Sequence, residues 1–210
     1  MQHEQQQPIV NIVGKRIALG PARRDLLPTL TRWINDFSTL RTLGALPLGP
    51  TSFEAEERWY NAATGPNASP YFLIYEKATW RPIGGTGFHE VDHRNRTTTF
   101  GILIGEPDAR GQGFGTEATR LMLDYAFTAL GLHSVLLTVA SYNHAGRRAY
   151  EKAGFRECGR RRECRQLAGT LHDDIYMDCL ATEFTSPVLA QVLAPTPDGT
   201  GPASSEEEPA

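Results

Sequence analysis

Apolar and polar residues alternate along the chain with two different periods, and each change of period marks a new strand or helix. Residues 10–21 have the spacing of a strand interrupted by a turn, whereas 22–37 and 52–64 repeat their apolar positions every three or four residues, as helices do. Three short apolar runs follow, at 71–77, 82–91 and 98–106. Short apolar runs divided by polar turns predict antiparallel strands joined by hairpins.

The second half of the chain continues this alternation after a glycine-rich stretch, RGQGFG. Ala118 and Met122 then fall on one face of a helical pattern that a glycine ends at position 131. The further predicted elements are a strand at 133–140, a helix at 144–154 and a closing hairpin formed by 155–164 and 172–180. This order predicts a mixed α/β sheet in which the helix after the glycine loop crosses between two strands.

The composition changes clearly only near residue 185. Residues 186–210 are rich in Pro, Ser, Gly and Ala, and they contain four acidic residues and no basic one. Such a segment has too few large apolar side chains to form a core, which predicts a disordered tail. The chain of 210 residues is therefore expected to form one domain over 1–185, followed by a C-terminal tail over 186–210.

Charge and composition exclude several classes of partner. The chain has 21 basic and 24 acidic residues, so it lacks the excess of Lys and Arg with which proteins bind nucleic acid non-specifically. No apolar run approaches the roughly 20 residues that span a bilayer, and the N-terminus has no signal-peptide pattern, so no membrane partner and a cytoplasmic location are expected. The three cysteines show no metal-ligand spacing, which predicts reduced thiols and no metal site.

The glycine-rich loop at 110–115 is the clearest candidate for ligand binding. It joins a strand to a helix N-terminus, whose free backbone N–H groups and partial positive charge suit a phosphate. A tight turn that needs small residues for packing is an equally good interpretation of the glycines alone. Thr116 and Glu117 stand where a P-loop has its lysine, and the GxGxG spacing after a mid-chain strand does not fit a dinucleotide fingerprint. Both nucleotide motifs are therefore excluded.

The loop and the sequence after it resemble the GNAT superfamily of N-acetyltransferases. RGQGFG matches the family's R/Q-x-x-G-x-G/A segment, and residues 110–155 look like the RimJ/RimL-type branch. A hairpin at 87–105 and a closing strand at 169–180 are similar as well, so the resemblance covers about 10–182. It implies an α/β (α+β) GNAT fold, with a mixed, mostly antiparallel central sheet that splays between the family's fourth and fifth strands and is flanked by about four helices.

The resemblance implies acetyl-CoA as the cosubstrate and a set of residues that bind it. In the family, backbone N–H groups of the loop cradle the pyrophosphate, and the strand before the loop offers main-chain groups to the pantetheine arm. An asparagine after the next strand contacts the same arm, and a small residue three positions later leaves room for it. The residues at the matching positions are Ile102, Leu103, Ile104, Arg110, Gly111, Gln112, Gly113, Phe114, Gly115, Thr116, Asn143 and Gly146.

Two of these positions have a structural interpretation besides the binding one. Asn143 is also well suited to be the N-cap of the next helix. Gly146 stands where relatives usually have alanine; it keeps clearance for the CoA arm but costs about 1 kcal/mol of helix stability. CoA binding is expected to survive this departure.

The resemblance also implies candidate catalytic residues. Tyr150 matches the family tyrosine that protonates the departing CoA thiolate, a reaction open to a phenol, although tyrosine is also common in cores. The general base is less well defined, because the strand before the loop lacks the glutamate that many relatives carry there. Glu90 and His89 are the nearest candidates, and strand alternation would point one of them towards the substrate and the other away. A water-mediated base stays open.

The expected function is acetyl transfer from acetyl-CoA to a primary amine by direct attack in a ternary complex. No cysteine falls at a matched catalytic position, which disfavours an acetyl-enzyme. The acceptor is left open among a protein N-terminus, a polyamine, an aminoglycoside and other small amines, and the resemblance allows a homodimer. The alternative is a non-catalytic GNAT-fold module that binds CoA as a sensor.

Overall fold

The computed structural model describes residues 7–43 and 49–195. In this part of the chain, eight strands form one sheet. They are β1 (Ile12–Val13), β2 (Ile17–Pro21), β3 (Tyr71–Glu76), β4 (Pro82–Asp92), β5 (Thr97–Ile104), β6 (Ser134–Ala140), β7 (Arg156–Leu167) and β8 (Thr170–Leu180). Their spatial order is β1-β2-β3-β4-β5-β6-β8-β7. The strands that the alternating pattern predicts are thus present.

Helices occupy both faces of this sheet. They are α1 (Leu27–Ile34), α2 (Phe37–Leu40), α3 (Phe53–Ala63), α4 (Phe114–Asp124), α5 (His144–Ala153) and α6 (Leu189–Val192). The four longer ones, α1, α3, α4 and α5, fall on the four predicted helical patterns. The Ser52 hydroxyl caps α3 by accepting a hydrogen bond from the Ala55 N–H at 3.2 Å. α2 and α6 are single turns, too short to give a periodic signal in the sequence.

Among the described strands, only β5 and β6 pair in parallel, and the sheet opens where these two strands separate. β5 and β6 pair over three positions, from Thr97 with Ser134 to Thr99 with Leu136. Beyond these positions both strands continue without pairing to each other, and the neighbouring pairs on either side are antiparallel. The splay that the family resemblance implies is therefore present, and it leaves main-chain groups at the β6 side of β5 without a strand partner.

The two sheet faces pack against different helices. Along β3, Phe72 and Ile74 join the main core on the side of α4, whereas Leu73 and Tyr75 join a second cluster with Trp33 of α1. This is the alternation expected of a strand buried on both faces. α4 and α5 therefore lie on one side of the open sheet, and α1 lies on the other.

The segment expected to begin a disordered tail packs against the domain as far as the structure describes it. Leu189 belongs to the main core and is 6% exposed. The buried Asp124 carboxylate accepts hydrogen bonds from the backbone N–H groups of Val188, at 3.0 Å, and Leu189, at 2.8 Å. This differs from the expectation of disorder from residue 186. The short apolar run is ordered because Asp124 accepts hydrogen bonds from its backbone and Leu189 packs into the main core. The rest of the expected tail, 196–210, lies outside the described residues, so the division at 185 stays a prediction.

Candidate active site

A cleft of about 340 Å³ lies where β5 and β6 diverge. Its walls come from the end of β5, the glycine loop, the start of α4 and one face of α5. Many residues predicted to bind CoA or to act in catalysis line it together, although they are far apart in sequence. These are Ile102, Leu103, Ile104, Arg110, Gly111, Gly113, Gly115, Thr116, Asn143, Gly146 and Tyr150.

The glycine loop presents free hydrogen-bond donors to this cleft. Gly111 and Gly113 adopt positive φ angles of 73° and 86°, and α4 begins directly after Gly113. Within residues 7–43 and 49–195, the backbone N–H groups of residues 111–116 donate no hydrogen bond to the chain. Unpaired donors at a helix N-terminus form a site that suits an anion such as a phosphate group.

Arg16 holds the outer side of the loop. Its guanidinium donates to the Gln112 carbonyl at 2.6 Å and lies 4.7 Å from the centre of the Phe114 ring. Its backbone N–H donates to the Glu117 carboxylate at 2.8 Å. Because the Phe114 side chain is buried in the core and Gln112 does not line the cleft, these two residues can contribute to it only through their backbone.

The Arg110 side chain ties the loop to its surroundings. Its Nε donates to the Ile104 carbonyl at 3.0 Å, and one terminal nitrogen donates to the Gly105 carbonyl at 3.2 Å. The guanidinium also lies 3.7 Å from the carboxylate of Asp36, which caps α2. The Arg110 guanidinium is thus paired mainly with groups of the protein itself, and its hydrogen bonds fix the loop to the end of β5.

The α5 wall combines a helix cap with two exposed cations. The Asn143 side chain accepts a hydrogen bond from the Gly146 N–H at 2.9 Å, so it is the N-cap of α5. A Cβ at Gly146 would lie 2.7 Å from the Asn143 side-chain nitrogen, and glycine at this position therefore leaves room for the cap. The exposed side chains of Arg148 and Lys152 complete this wall.

Sequence reasoning missed several lining residues. Ala145, Ala149 and Lys152 follow one another at the four- and three-residue spacing of a helix face, and that spacing would have identified them. Thr42 and Ala109 also line the cleft. They give no such signal, because Thr42 lies in a turn and Ala109 ends a 3-10 helix of only three residues.

Tyr150 faces the cleft from α5 with its ring held by aromatic neighbours. The ring centres of Phe100 and Phe155 lie 6.3 Å and 6.1 Å from that of Tyr150, both in edge-to-face arrangements. Burial raises the pKa of Tyr150 to about 12. The phenol therefore stays protonated at neutral pH, and it can donate a hydrogen to an anion in the cleft.

The two predicted base candidates lie outside this cleft. β4 is bulged between His89 and Asp92, and Glu90 has a φ of 53°, which breaks the strand alternation used to orient these side chains. The ring of His89 lies over Gly101 of β5, 3.2 Å from where a Cβ would stand. Glu90 lines a separate cavity of about 270 Å³. The structure therefore does not bring either residue to the cleft that Tyr150 lines.

The described part of the chain contains three free cysteines, no cluster of possible metal ligands and no membrane-spanning helix. Cys158, Cys164 and Cys179 are free thiols, and burial raises the pKa of Cys179 to about 11. Across 7–43 and 49–195, no three or more His, Cys, Asp or Glu side chains gather where they could hold a metal ion. The helices in the same ranges are too short or too polar to cross a membrane.

Two curated relatives match parts of the sequence. The spermidine N(1)-acetyltransferase of Vibrio cholerae serotype O1 (strain ATCC 39315 / El Tor Inaba N16961) is 36% identical over 108 residues, which cover 51% of this chain and 61% of the relative. The putative ribosomal N-acetyltransferase YdaF of Bacillus subtilis (strain 168) is 33% identical over 112 residues, covering 53% of this chain and 59% of the relative. The chain thus spans about three fifths of the length of these relatives.

Solved structures and a family model extend the similarity. The crystal structure of spermidine N-acetyltransferase from Vibrio cholerae in complex with CoA and spermine has a TM-score of 0.73 at 28% identity, covering 80% of this chain and 97% of that one. A GNAT-family acetyltransferase from Bacillus anthracis shares the fold, with a TM-score of 0.69 at 21% identity over 82% and 99% of the two chains. The model of the acetyltransferase (GNAT) domain matches residues 16–156, well over half of the sequence. The chain therefore belongs to the GNAT acetyltransferase family.

Proposed function

We propose that this protein is an acetyl-CoA-dependent N-acetyltransferase of the RimJ/RimL-type branch, which transfers an acetyl group to a primary amine. One observation carries the proposal: free backbone donors of residues 111–116 and a protonated tyrosine, Tyr150, line the same cleft between two diverging strands. The first arrangement suits a diphosphate, and the second suits a leaving thiolate. Membership of the GNAT family supports acetyl-CoA as the molecule that contains both groups.

In this proposal, three parts of the cleft bind different parts of the cosubstrate. The N–H groups of residues 111–116 donate to the pyrophosphate, and Arg148 and Lys152 add positive charge near the phosphates. Main-chain groups of residues 102–104 pair with the pantetheine arm, since β6 has diverged from β5 at that point. The pantetheine arm thereby pairs with the part of β5 that β6 leaves unpaired.

Tyr150 acts as the general acid of the proposed reaction. As the amine attacks the acetyl carbon and the carbon–sulfur bond breaks, negative charge develops on sulfur, and the Tyr150 hydroxyl donates to it. Its pKa of about 12 keeps the hydroxyl protonated before the reaction. None of the three cysteines lines the cleft, which supports direct transfer over an acetyl-enzyme. Glu90 and His89 stay candidates for the base through a water.

The acceptor that we propose is a protein N-terminus or a small amine such as a polyamine or an aminoglycoside. Relatives named as a spermidine N(1)-acetyltransferase and as a putative ribosomal N-acetyltransferase represent two of these classes. A panel should therefore contain spermidine, an aminoglycoside and a peptide with a free N-terminus. Release of the CoA thiol from acetyl-CoA measures the rate with each amine.

The second candidate is a CoA-binding sensor without catalysis. The absence of an acid on β5 and the position of Glu90 and His89 outside the cleft favour it. The panel separates the two functions, because an enzyme releases thiol faster with at least one amine. If no amine raises the rate while CoA still raises the melting temperature, the protein is a sensor.

A further inference from the structure

Arg16 lies in the turn between β1 and β2 and contacts the glycine loop from outside the cleft. Its terminal nitrogen Nη2 donates to the Gln112 carbonyl at 2.6 Å. A Cβ at Gly113 would lie 3.1 Å from the same nitrogen, so the guanidinium lies against the outer side of this glycine. Its carbon Cζ also stands 4.7 Å from the centre of the Phe114 ring. Arg16 thus contacts three consecutive residues of the loop.

The turn that contains Arg16 is itself held from two sides. Lys77, which follows β3, donates from its backbone N–H to the Arg16 carbonyl at 2.9 Å and from its Nζ to the Gly14 carbonyl at 3.0 Å. On the other side, the carboxylate of Glu117 in the first turn of α4 accepts the Arg16 N–H at 2.8 Å and lies 3.6 Å from the guanidinium Nε. The side chain of Arg16 therefore reaches the loop from a fixed backbone.

The contact with the Gln112 carbonyl determines the direction of the next N–H group. A trans peptide unit is planar, so the carbonyl of one residue and the N–H of the next point in opposite directions. Because Arg16 holds the Gln112 carbonyl on the outer side of the loop, the Gly113 N–H is directed to the inner side. The lining of the cleft agrees, since it includes Gly113 and not Gln112. This N–H has no acceptor among the described residues, and it stands at the N-cap of α4.

We propose that Arg16 is a positioning residue for the phosphate groups of the cosubstrate. By holding the Gln112 carbonyl, it keeps the Gly113 N–H directed at the pyrophosphate, and it takes no part in the chemistry at the thioester. The inference rests on the proposed function, because it takes acetyl-CoA as the ligand of the loop. A cation behind the loop also attracts an anion through its charge alone, so the test has to separate the hydrogen bond from the charge.

The test compares Arg16→Met with Lys15→Met, which removes the same charge from the same turn. Lys15 is exposed, and its side chain makes no hydrogen bond or ion pair with the described part of the chain. In calorimetric titrations, Arg16→Met should bind CoA at least tenfold more weakly than the wild type and pantetheine, which lacks the phosphates, within twofold. Its kcat at saturating acetyl-CoA should change less than twofold. Lys15→Met should bind both ligands as the wild type does.

Three results of these titrations would overturn the positioning role. They are an unchanged CoA affinity in Arg16→Met, an equal loss of CoA affinity in Lys15→Met, and an equal loss of pantetheine and CoA affinity in Arg16→Met. If Arg16→Met does not fold, Arg16→Lys replaces it. Lysine keeps the charge, but its single nitrogen cannot serve the loop carbonyl and Glu117 together, so CoA should bind at least threefold more weakly. An unchanged affinity in that variant would also refute the role.

A titration with inorganic pyrophosphate separates this inference from the proposed function. In the wild type and Lys15→Met, the NMR signal of the Gly113 amide should shift as pyrophosphate binds, and Arg16→Met should need at least tenfold more pyrophosphate for the same shift. If no amine is acetylated, the enzyme is refuted while this difference remains. Equal pyrophosphate affinities of Arg16→Met and the wild type, or no binding of pyrophosphate by the wild type, would refute the positioning role.

Discussion

At the scale of single residues, Tyr150 combines a packing role with the chemical role that we propose for it. Its ring packs between Phe100 and Phe155, and the same burial raises the pKa of the hydroxyl to about 12. A phenol in water loses its proton near pH 10. The packing therefore extends the pH range over which the hydroxyl can donate to sulfur.

Replacement of Tyr150 by phenylalanine should keep the packing and remove only the hydroxyl. Because a general acid typically contributes 100-fold or more, we expect the kcat of Tyr150→Phe to fall about 100-fold. The KM for acetyl-CoA should change less than about twofold, since no binding group of the loop is altered. Steady-state rates of thiol release measure both constants, and a kcat equal to that of the wild type would exclude Tyr150 from the mechanism.

The motif places Tyr150 among the candidate site residues, and the residue lines the cleft, whereas the sequence does not show which acidic residue of α3 is buried. Glu54, Glu56 and Glu57 lie within one turn of α3, and their identities alone do not say which of them faces the sheet. The answer depends on how α3 packs over Tyr71 and the glycines of β4, which is a tertiary contact. The direction of the Glu90 side chain depends on a related feature, since a bulge interrupts the strand alternation between His89 and Asp92.

At the scale of elements, the junction of the glycine loop and α4 depends on backbone conformation. Gly113 is the N-cap of α4 at a φ of 86°, a conformation that costs an ordinary L-residue roughly 1–2 kcal/mol. In the proposed complex, the N–H groups of the same loop are all directed at one ligand. Strain at this position is therefore expected to affect binding as well as stability.

Replacement of Gly113 by valine should weaken CoA binding at least tenfold, because relief of the strain turns the loop N–H groups away from the pyrophosphate. Gly131→Val is the matched control, since Gly131 has a φ of 63° beyond the other end of the same helix and does not line the cleft. Both variants should lose similar stability in urea unfolding. Normal CoA affinity in folded Gly113→Val, measured by calorimetry, would contradict the phosphate assignment.

The C-terminal segment is a second element whose position depends on one side chain. The buried Asp124 carboxylate accepts the Val188 and Leu189 N–H groups and also the Thr128 hydroxyl, at 2.8 Å. Composition predicted disorder for this segment, because neither the cap nor the core site for Leu189 can be read from local sequence. The longer strands and helices were predictable, since their own periodicity determines which face is buried.

Asp124→Ala should release residues 186–195 from the domain. Hydrogen bonds to a charged group contribute about 1.5–3 kcal/mol, and two backbone donors lose their partner, so we expect the free energy of unfolding to fall by about 2–3 kcal/mol. Limited proteolysis should cut this segment faster than in the wild type. Thr128→Val, which leaves both backbone bonds intact, is the control, and equal cleavage rates in Asp124→Ala and the wild type would show that the cap does not hold the segment.

At the scale of the whole molecule, the divergence of β5 and β6 brings together the parts of the proposed site. The end of β5, the glycine loop and α5 are separated by up to about 50 residues, yet they line one cleft. The family resemblance predicted this splay, whereas the order of elements predicted only a mixed sheet.

The most direct test of the central claim follows the acetyl group itself. The protein is incubated with acetyl-CoA labelled in the acetyl group, with and without spermidine and the other amines of the panel, and mass spectrometry locates the label. The account predicts label in an amine product, formed only when that amine is present, and no label on the protein. Label on a cysteine, or no transfer to any amine, would contradict direct acetyl transfer in a ternary complex.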